Sequence, residues 1–442
     1  MADTILYQEA LGIIREQACQ EWENEALPIE QSVGRLLARD VLSTSSLPEF
    51  DNSSVDGFAL RSVDTKGPFP LRLKIQGRFV AGDSRHSTDS DGAWEIMTGA
   101  PFPAGYDCSV KIEDTEVVRD SGGRAIEIVL HSQVEPRQNL RPAGDDFRVG
   151  VQVFHAGETV SPMHVLGAAA LGITSFSVAR APRIALISTG KEIVDAGSVA
   201  VAPGHVRNST APFLRVTIAQ LGWKVVYQTA VGDEAKDFYQ ALKEALAANP
   251  DAVVTTGAVS MGVHDYVSTV AADLGARTYF HRVAIRPGKP LLFSRFGETG
   301  PVLFGLPGNP VSTVVGLRFF VEPYFRACLK QKPESPLRVR LAARASKPEG
   351  LRCFFKAGLE LGRDLKVAAL RGQASFMISP LLESNAWVVL PEEGSSIPEG
   401  TEVDVYPMFS SSGFLQQKES KSHQTDQHGA DRADDCCHGR HK

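Results

Sequence analysis

The sequence predicts a multidomain protein of α/β plus β class, organised around one α/β unit over residues 181–330. Three observations predict it. Strand and helix patterns alternate from Arg183 to Leu329, the mark of a parallel sheet covered by helices. Short β-rich runs, broken by Gly, Pro and Asp turns, fill residues 45–144 and 331–409 on either side. At 442 residues the chain also exceeds what a single core holds.

In chain order, "ILYQEALGIIREQ" carries apolar residues at helical spacing, and "PIEQSVGRLLARDV" is a second short helical pattern. Residues 1–44 are therefore read as an N-terminal helical region, completed by 145–180. In the latter, "SPMHVLGAAALG" predicts a helix with Ser161 as N-cap, Pro162 at its first position and Gly172 at its end. An inserted β domain (45–144) contains "LRLKIQGRFV", "CSVKIEDTEVV" and "AIEIVLHS". The α/β unit opens with strand "RIALIST". Helices "APFLRVTIAQLG" and "DFYQALKEALAA" then alternate with strands "WKVVYQTA" and "DAVVTT" before "VLFGL" and a long closing helix. Runs such as "VRLAAR", "AWVVLP" and "EVDVYP" make 331–409 a second β domain. The polar tail 410–442 lacks the apolar residues a core needs and is read as disordered.

Charged residues make up 22% of the chain and its net charge is −6, so no whole-molecule attraction draws it to nucleic acid or an anionic membrane. No apolar run approaches the ~20 residues of a bilayer span. The first residues lack the basic and apolar blocks of a secretory signal. Six scattered cysteines in so long a chain fit free thiols in a reducing cytoplasm.

The chemistry concentrates in the α/β unit. The stretch "DAVVTTGAVSMGVHDYV" begins as a buried strand, breaks at Gly257, Ser260 and Gly262, and reaches Asp265 before a new helical pattern. A strand emptying into a glycine turn at a helix mouth offers backbone N–H groups to an anion. "VLFGLPGNPVSTVVG" repeats the arrangement with Pro307, Gly308, Asn309 and Ser312. Between them "IRPGKP" puts Arg286 and Lys289 on a proline-stiffened loop, a planar fork beside a point charge. Two anion cradles flanking a basic loop imply a substrate with more than one phosphate-like group. Carboxylates recur at turns: Asp56, Asp146, Glu192, Asp233 and Asp265. Singly, each reads as a surface or capping group; as a set near phosphates they suggest Mg²⁺ ligands. Thr98 and Gly99, in a Gly/Pro loop, are either ligand contacts or an ordinary β-domain turn. No Walker P-loop and no GxGxxG after a strand occur. "AVSMG" approaches a nucleophile elbow around Ser260, but no convincing Asp and His accompany it. The tail's "DDCCHGRH" lacks the CxxC spacing of structural zinc sites.

Seven motifs stand in order: "FDNSSVDGFAL", "IMTGAPFPAGYD", "LRPAGDDFRVG", "PRIALISTGKEIV", "TTGAVSMGVHDYV", "VAIRPGKPL" and "GLPGNPVSTVVG". Together they resemble the molybdopterin molybdenumtransferase family, which includes bacterial MoeA and the E domain of gephyrin, over about residues 5–408. The resemblance implies a central molybdopterin-binding domain, a small C-terminal β-barrel and a dimer of four-domain subunits. It implies insertion of molybdate into adenylylated molybdopterin with release of AMP, a divalent cation such as Mg²⁺ held by Glu192 and Asp265, and a separate adenylyltransferase upstream. Asp56, Asp146, Glu192, Asp233 and Asp265 become the expected catalytic set. Thr98, Gly99, Ser188, Thr189, Gly190, Gly257, Ser260, Gly262, Arg286, Lys289, Pro307, Gly308, Asn309 and Ser312 become the expected substrate contacts. Asp56 is expected to reach the partner subunit's site. The chain departs from the family pattern at Ala258, where a glycine is usual, at Lys191, at Arg286 and at Ser209–Thr210. A non-catalytic pterin-binding or scaffolding role, or insertion of tungstate, stands as the alternative.

Overall fold

The computed structural model describes residues 4–19, 21–84, 91–259, 266–360, 362 and 364–410. Its central sheet has six strands in the order Lys224–Val231, Arg183–Thr189, Ala252–Thr256, Val302–Leu306, Leu292–Phe296 and Ala276–Phe280. The first four run parallel. Leu292–Phe296 runs antiparallel to both of its neighbours, so the sheet is mixed where the sequence predicts a parallel one. The reason is local: no helix separates Ala276–Phe280, Leu292–Phe296 and Val302–Leu306, and short connections join antiparallel neighbours. Strands Ala252–Thr256, Leu292–Phe296 and Val302–Leu306 are buried at every position, as expected of strands covered on both faces.

Helices Thr210–Gln220, Ala235–Ala247 and Val267–Asp273 cover the sheet. The closing helix runs from Pro310 to Cys328 with a π-helical stretch at Leu317–Val321. The N-terminal helix Tyr7–Glu16 buries Tyr7, Ala10, Leu11 and Ile14 in the core of this unit, where the Tyr7 ring meets Phe320 and Phe354 edge-on.

The second helical pattern, Pro28–Val41, does not fold as a helix. Only a 3-10 turn forms, Ile29–Ser32. Gly34 then takes φ +83°, and backbone donors turn outward: Gly34 N–H to Val160 O, Leu37 N–H to Glu158 O and Ala38 N–H to Ser177 O. Pairing with distant segments of the same chain displaces the i→i−4 ladder. Around it Asn24–Pro28 pairs antiparallel with Ser175–Ala179, and helix Pro162–Ala170 starts at Ser161 with a capping box to His164.

The inserted β domain is a six-stranded sheet whose strand Leu71–Phe79 alternates in exposure along its length. At the other end, Leu337–Leu341, Arg352–Glu360, Lys366–Ala369, Ala386–Leu390 and Glu402–Pro407 form a closed small barrel, sealed by pairing of Arg352–Glu360 with Ala386–Leu390. Strand Ile285–Arg286 of the α/β unit joins that barrel beside Arg352–Cys353. Cys19, Cys108, Cys328 and Cys353 are free thiols.

Candidate active site

Ligands of open α/β sheets lie at the carboxyl ends of the parallel strands. A cavity of about 610 Å³ opens there. Strand Arg183–Thr189 delivers Ser188, Thr189, Gly190 and Glu192; Ala252–Thr256 delivers Thr256, Gly257 and Ala258; Val302–Leu306 delivers Pro307, Gly308 and Asn309. Asp233, just after Lys224–Val231, completes this wall.

The turn at Gly257 leaves no room for a side chain. Gly257 sits at φ +92°, and a Cβ there would lie 2.5 Å from Thr189 O. Gly308 faces it, with a hypothetical Cβ 3.5 Å from Gly257 Cα. At Gly190 (φ +141°) a Cβ would meet the Glu192 carboxylate at 2.6 Å. Hydrogen bonds hold the set: Thr189 Oγ1 donates to Thr256 O (3.1 Å), Gly257 N–H to Leu306 O (3.0 Å) and Thr313 Oγ1 to Pro307 O (2.9 Å). Ala258 is left-handed at φ +48°, a conformation that glycine adopts at less cost.

Glu192 and Asp233 share the cavity wall, and their field registers on Tyr266. Burial first, then the charge of Asp233, with a further push from Glu192, raises its phenol to about 12. Its hydroxyl donates to Gly232 O (3.1 Å). Asp265 directly precedes Tyr266 in sequence; it, Ser260 and Gly262 lie outside the described residues. Among the described residues no group of three His, Cys, Asp or Glu could hold a metal alone. Two carboxylates on one wall fit the chemistry of Mg²⁺, an ion held by one or two carboxylates together with other oxygen ligands.

Arg286 and Lys289 do not line the cavity; Pro290, the exit of their loop, does. Both cations are exposed and form no ion pair with a described residue. Their turn is braced by Val283 N–H to Lys289 O (3.0 Å), and Gly288 takes φ +102°. Ser312, in the first turn of helix Pro310–Gly316, is buried at 3% exposure.

Asp56, Thr98 and Gly99 stand apart in the inserted β domain. Thr98 donates both its N–H (2.7 Å) and Oγ1–H (2.9 Å) to Asp56 Oδ1, and these two bonds hold the carboxyl below its usual range. Gly99 N–H donates to Ser53 O. Asp56 lines a separate acidic recess with Lys111, Glu113 and Asp114. Asp146 is exposed on yet another segment, its N–H bonded to Leu47 O. Sequence patterns alone could not see that these carboxylates occupy separate places.

Asn208, Thr210, Phe376 and Ile378, none of them an expected ligand contact, also line the cavity. Asn208 Oδ1 accepts from Ala211 N–H (3.0 Å), capping the helix that follows. An Asn before an apolar helical pattern was the available signal. Phe376 and Ile378 come from the barrel, and no local signal ties them to this cavity.

Three family models match in order: the MoeA N-terminal region (domains I and II) over residues 5–172, a probable molybdopterin binding domain over 185–327, and the MoeA C-terminal region (domain IV) over 338–408. The chain belongs to the molybdopterin molybdenumtransferase family. It is 38% identical over 386 residues to the molybdopterin molybdenumtransferase of Synechococcus elongatus, covering 86% of this chain and 94% of that one. The Bacillus subtilis molybdopterin molybdenumtransferase is 30% identical over 393 residues, covering 87% and 90%. A molybdopterin biosynthesis MoeA protein from Pyrococcus horikosii superposes with a TM-score of 0.78 at 28% identity, over 92% of this chain and 99% of that one. Among the described residues no helix is long and apolar enough to cross a membrane.

Proposed function

We propose that the chain inserts molybdate into adenylylated molybdopterin and releases AMP, as a step of molybdenum cofactor biosynthesis. The observation that carries this reading is the cavity of about 610 Å³ at the carboxyl ends of the parallel strands, walled by the close turns at Gly257 and Gly308. A phosphoanhydride needs such an approach of backbone to oxygen. Arg286 and Lys289, exposed and without an ion pair among the described residues, lie on the loop that leads to Pro290 at the cavity and suit a tetrahedral dianion: guanidinium binds it through two N–H groups and ammonium neutralises it. Glu192 and Asp265 would hold the divalent cation against the phosphates, and Asp233 lines the same cavity as Glu192. When bound, that ion polarises the phosphoanhydride. The chain's own part is to align the anhydride and exclude bulk water, because a pre-positioned reactant saves several kcal/mol, of order 7–11 at the limit. A separate adenylyltransferase supplies the substrate. Two copies form the working unit, with Asp56 and Thr98 of one subunit completing the cavity of the other.

The test is single-turnover AMP release from adenylylated molybdopterin, with Mg²⁺, with and without micromolar molybdate. Release that depends on molybdate is the expected result, and a tungstate arm reads the preferred oxyanion. Tight binding with no AMP release in either condition would overturn the enzyme reading and leave a pterin-binding scaffold.

A further inference from the structure

Phe376 is the aromatic residue among those lining the cavity, and it is 69% exposed. An aromatic ring left that open on a loop ordinarily folds back onto nearby apolar surface. Here the ring stands open on a backbone that is held in place. Lys356, fully buried, donates its Nζ to Ala374 O (3.3 Å) and Met377 O (3.2 Å). Ser375 O accepts Val311 N–H (3.0 Å) from the closing helix of the α/β unit. Gln373 bonds the Lys356 backbone twice, accepting from its N–H (3.0 Å) and donating to its carbonyl (2.9 Å). The carbonyls flanking Phe376 are therefore fixed both to the barrel and to the α/β unit. A ring on a fixed support loses little freedom when a flat partner arrives.

The rest of the lining shows which partner. The strand-end wall is polar, with Ser188, Thr189, Glu192 and Asp233, and suits phosphates and a cation. Phe376 and Ile378 enter from the barrel, which also pairs with Ile285–Arg286 at the foot of the cationic loop. Resting on the function proposed above, molybdate lies toward Arg286 and Lys289. The dithiolene that receives it is carried directly on the pterin ring system, whereas the adenine lies beyond the pyrophosphate. The ring nearest the barrel is then the pterin. We propose that Phe376 is the face on which the substrate's pterin stacks, a substrate-binding residue supplied by the C-terminal barrel.

The test uses the full chain, its Phe376→Ala and Phe376→Tyr variants, and two probes: adenylylated molybdopterin, titrated by its pterin fluorescence without turnover, and AMP, titrated by calorimetry. Phe376→Ala is expected to weaken binding of adenylylated molybdopterin about tenfold, the order found when one base–aromatic stack is removed. Phe376→Tyr should stay within about twofold of the parent, since it keeps the ring face. AMP affinity should not move. An equal loss for AMP would place adenine on Phe376 and overturn the proposal, and unchanged binding of both probes would overturn it equally. Fluorescence titration does not need catalysis. A parent protein that binds but never releases AMP therefore sinks the enzyme reading while the Phe376 comparison is still read. A parent that fails to bind adenylylated molybdopterin sinks both.

Discussion

Ala258 holds a backbone conformation, φ +48°, that costs an L-residue roughly 1–2 kcal/mol. Replacing it by glycine removes that strain but gives the unfolded chain about 0.4–1 kcal/mol more entropy. Ala258→Gly is therefore expected to raise stability by about 0.5–1 kcal/mol, read as a higher thermal or urea midpoint; a lower midpoint would show that the position is not strained. Its neighbour behaves oppositely. Gly257→Ala pushes a Cβ to 2.5 Å from Thr189 O, so it should distort the cavity wall and abolish AMP release. A buried acid makes a third case at this scale. Burial raises Glu322 to about 7, against the pull of Arg318 at 3.4 Å. The folded state then holds a proton that the unfolded chain has already lost between about pH 4.5 and 7. Its contribution to stability is complete below about 4.5 and declines as pH rises to about 7, with a slope approaching 1.4 kcal/mol per pH unit. Glu322→Gln should flatten that decline in denaturation midpoints taken across the window; an unchanged slope would assign it to other groups. That Gly190, Glu192, Gly257 and Gly308 lie in turns at strand ends was legible, because glycine and carboxylate spacing is local chemistry. The burial of Glu322 and of Ser312 was not, since it depends on what the rest of the chain packs over them.

Elements with a local signal came through intact. Ser161 and Pro162 start their helix as the sequence predicts, with Ser161 and His164 completing the capping box. Pro28–Val41 failed because its apolar spacing is equally served by pairing within the same chain to Glu158, Val160 and Ser177, partners more than 100 residues away that no window contains. The loop carrying Phe376 is the same problem at a functional place. It is held by Lys356, a cation that lies buried, with burial lowering the pKa of its amine. Lys356→Met keeps much of the volume but leaves the carbonyls of Ala374 and Met377 without their charged donor. The expected cost is about 2 kcal/mol, with weaker binding of adenylylated molybdopterin. A variant whose midpoint falls while binding stays intact would mean that the loop does not need this anchor.

At the scale of the whole molecule, the order of domains was legible because each has its own pattern: alternation of strand and helix in the centre, short strands on either side. Which carboxylates share a site was not legible, because that depends on how the domains meet. The structure separates Asp56, in an acidic recess of the inserted β domain, from the cavity that holds Glu192 and Asp233. Under the proposed dimer, a working site combines the cavity of one subunit with Asp56 of the other. Subunits carrying Asp56→Ala and subunits carrying Asp233→Ala should each be inactive alone. Mixed at random, half of the dimers pair one of each, and each such dimer holds one site with neither lesion, so about a quarter of the parent activity returns. If Asp56 serves its own subunit's cavity, every site in the mixture carries a lesion and nothing returns. AMP release from co-produced, differently tagged subunits, purified through both tags so that only mixed dimers remain, is expected at about half of the parent level under the shared site and at none under the other arrangement.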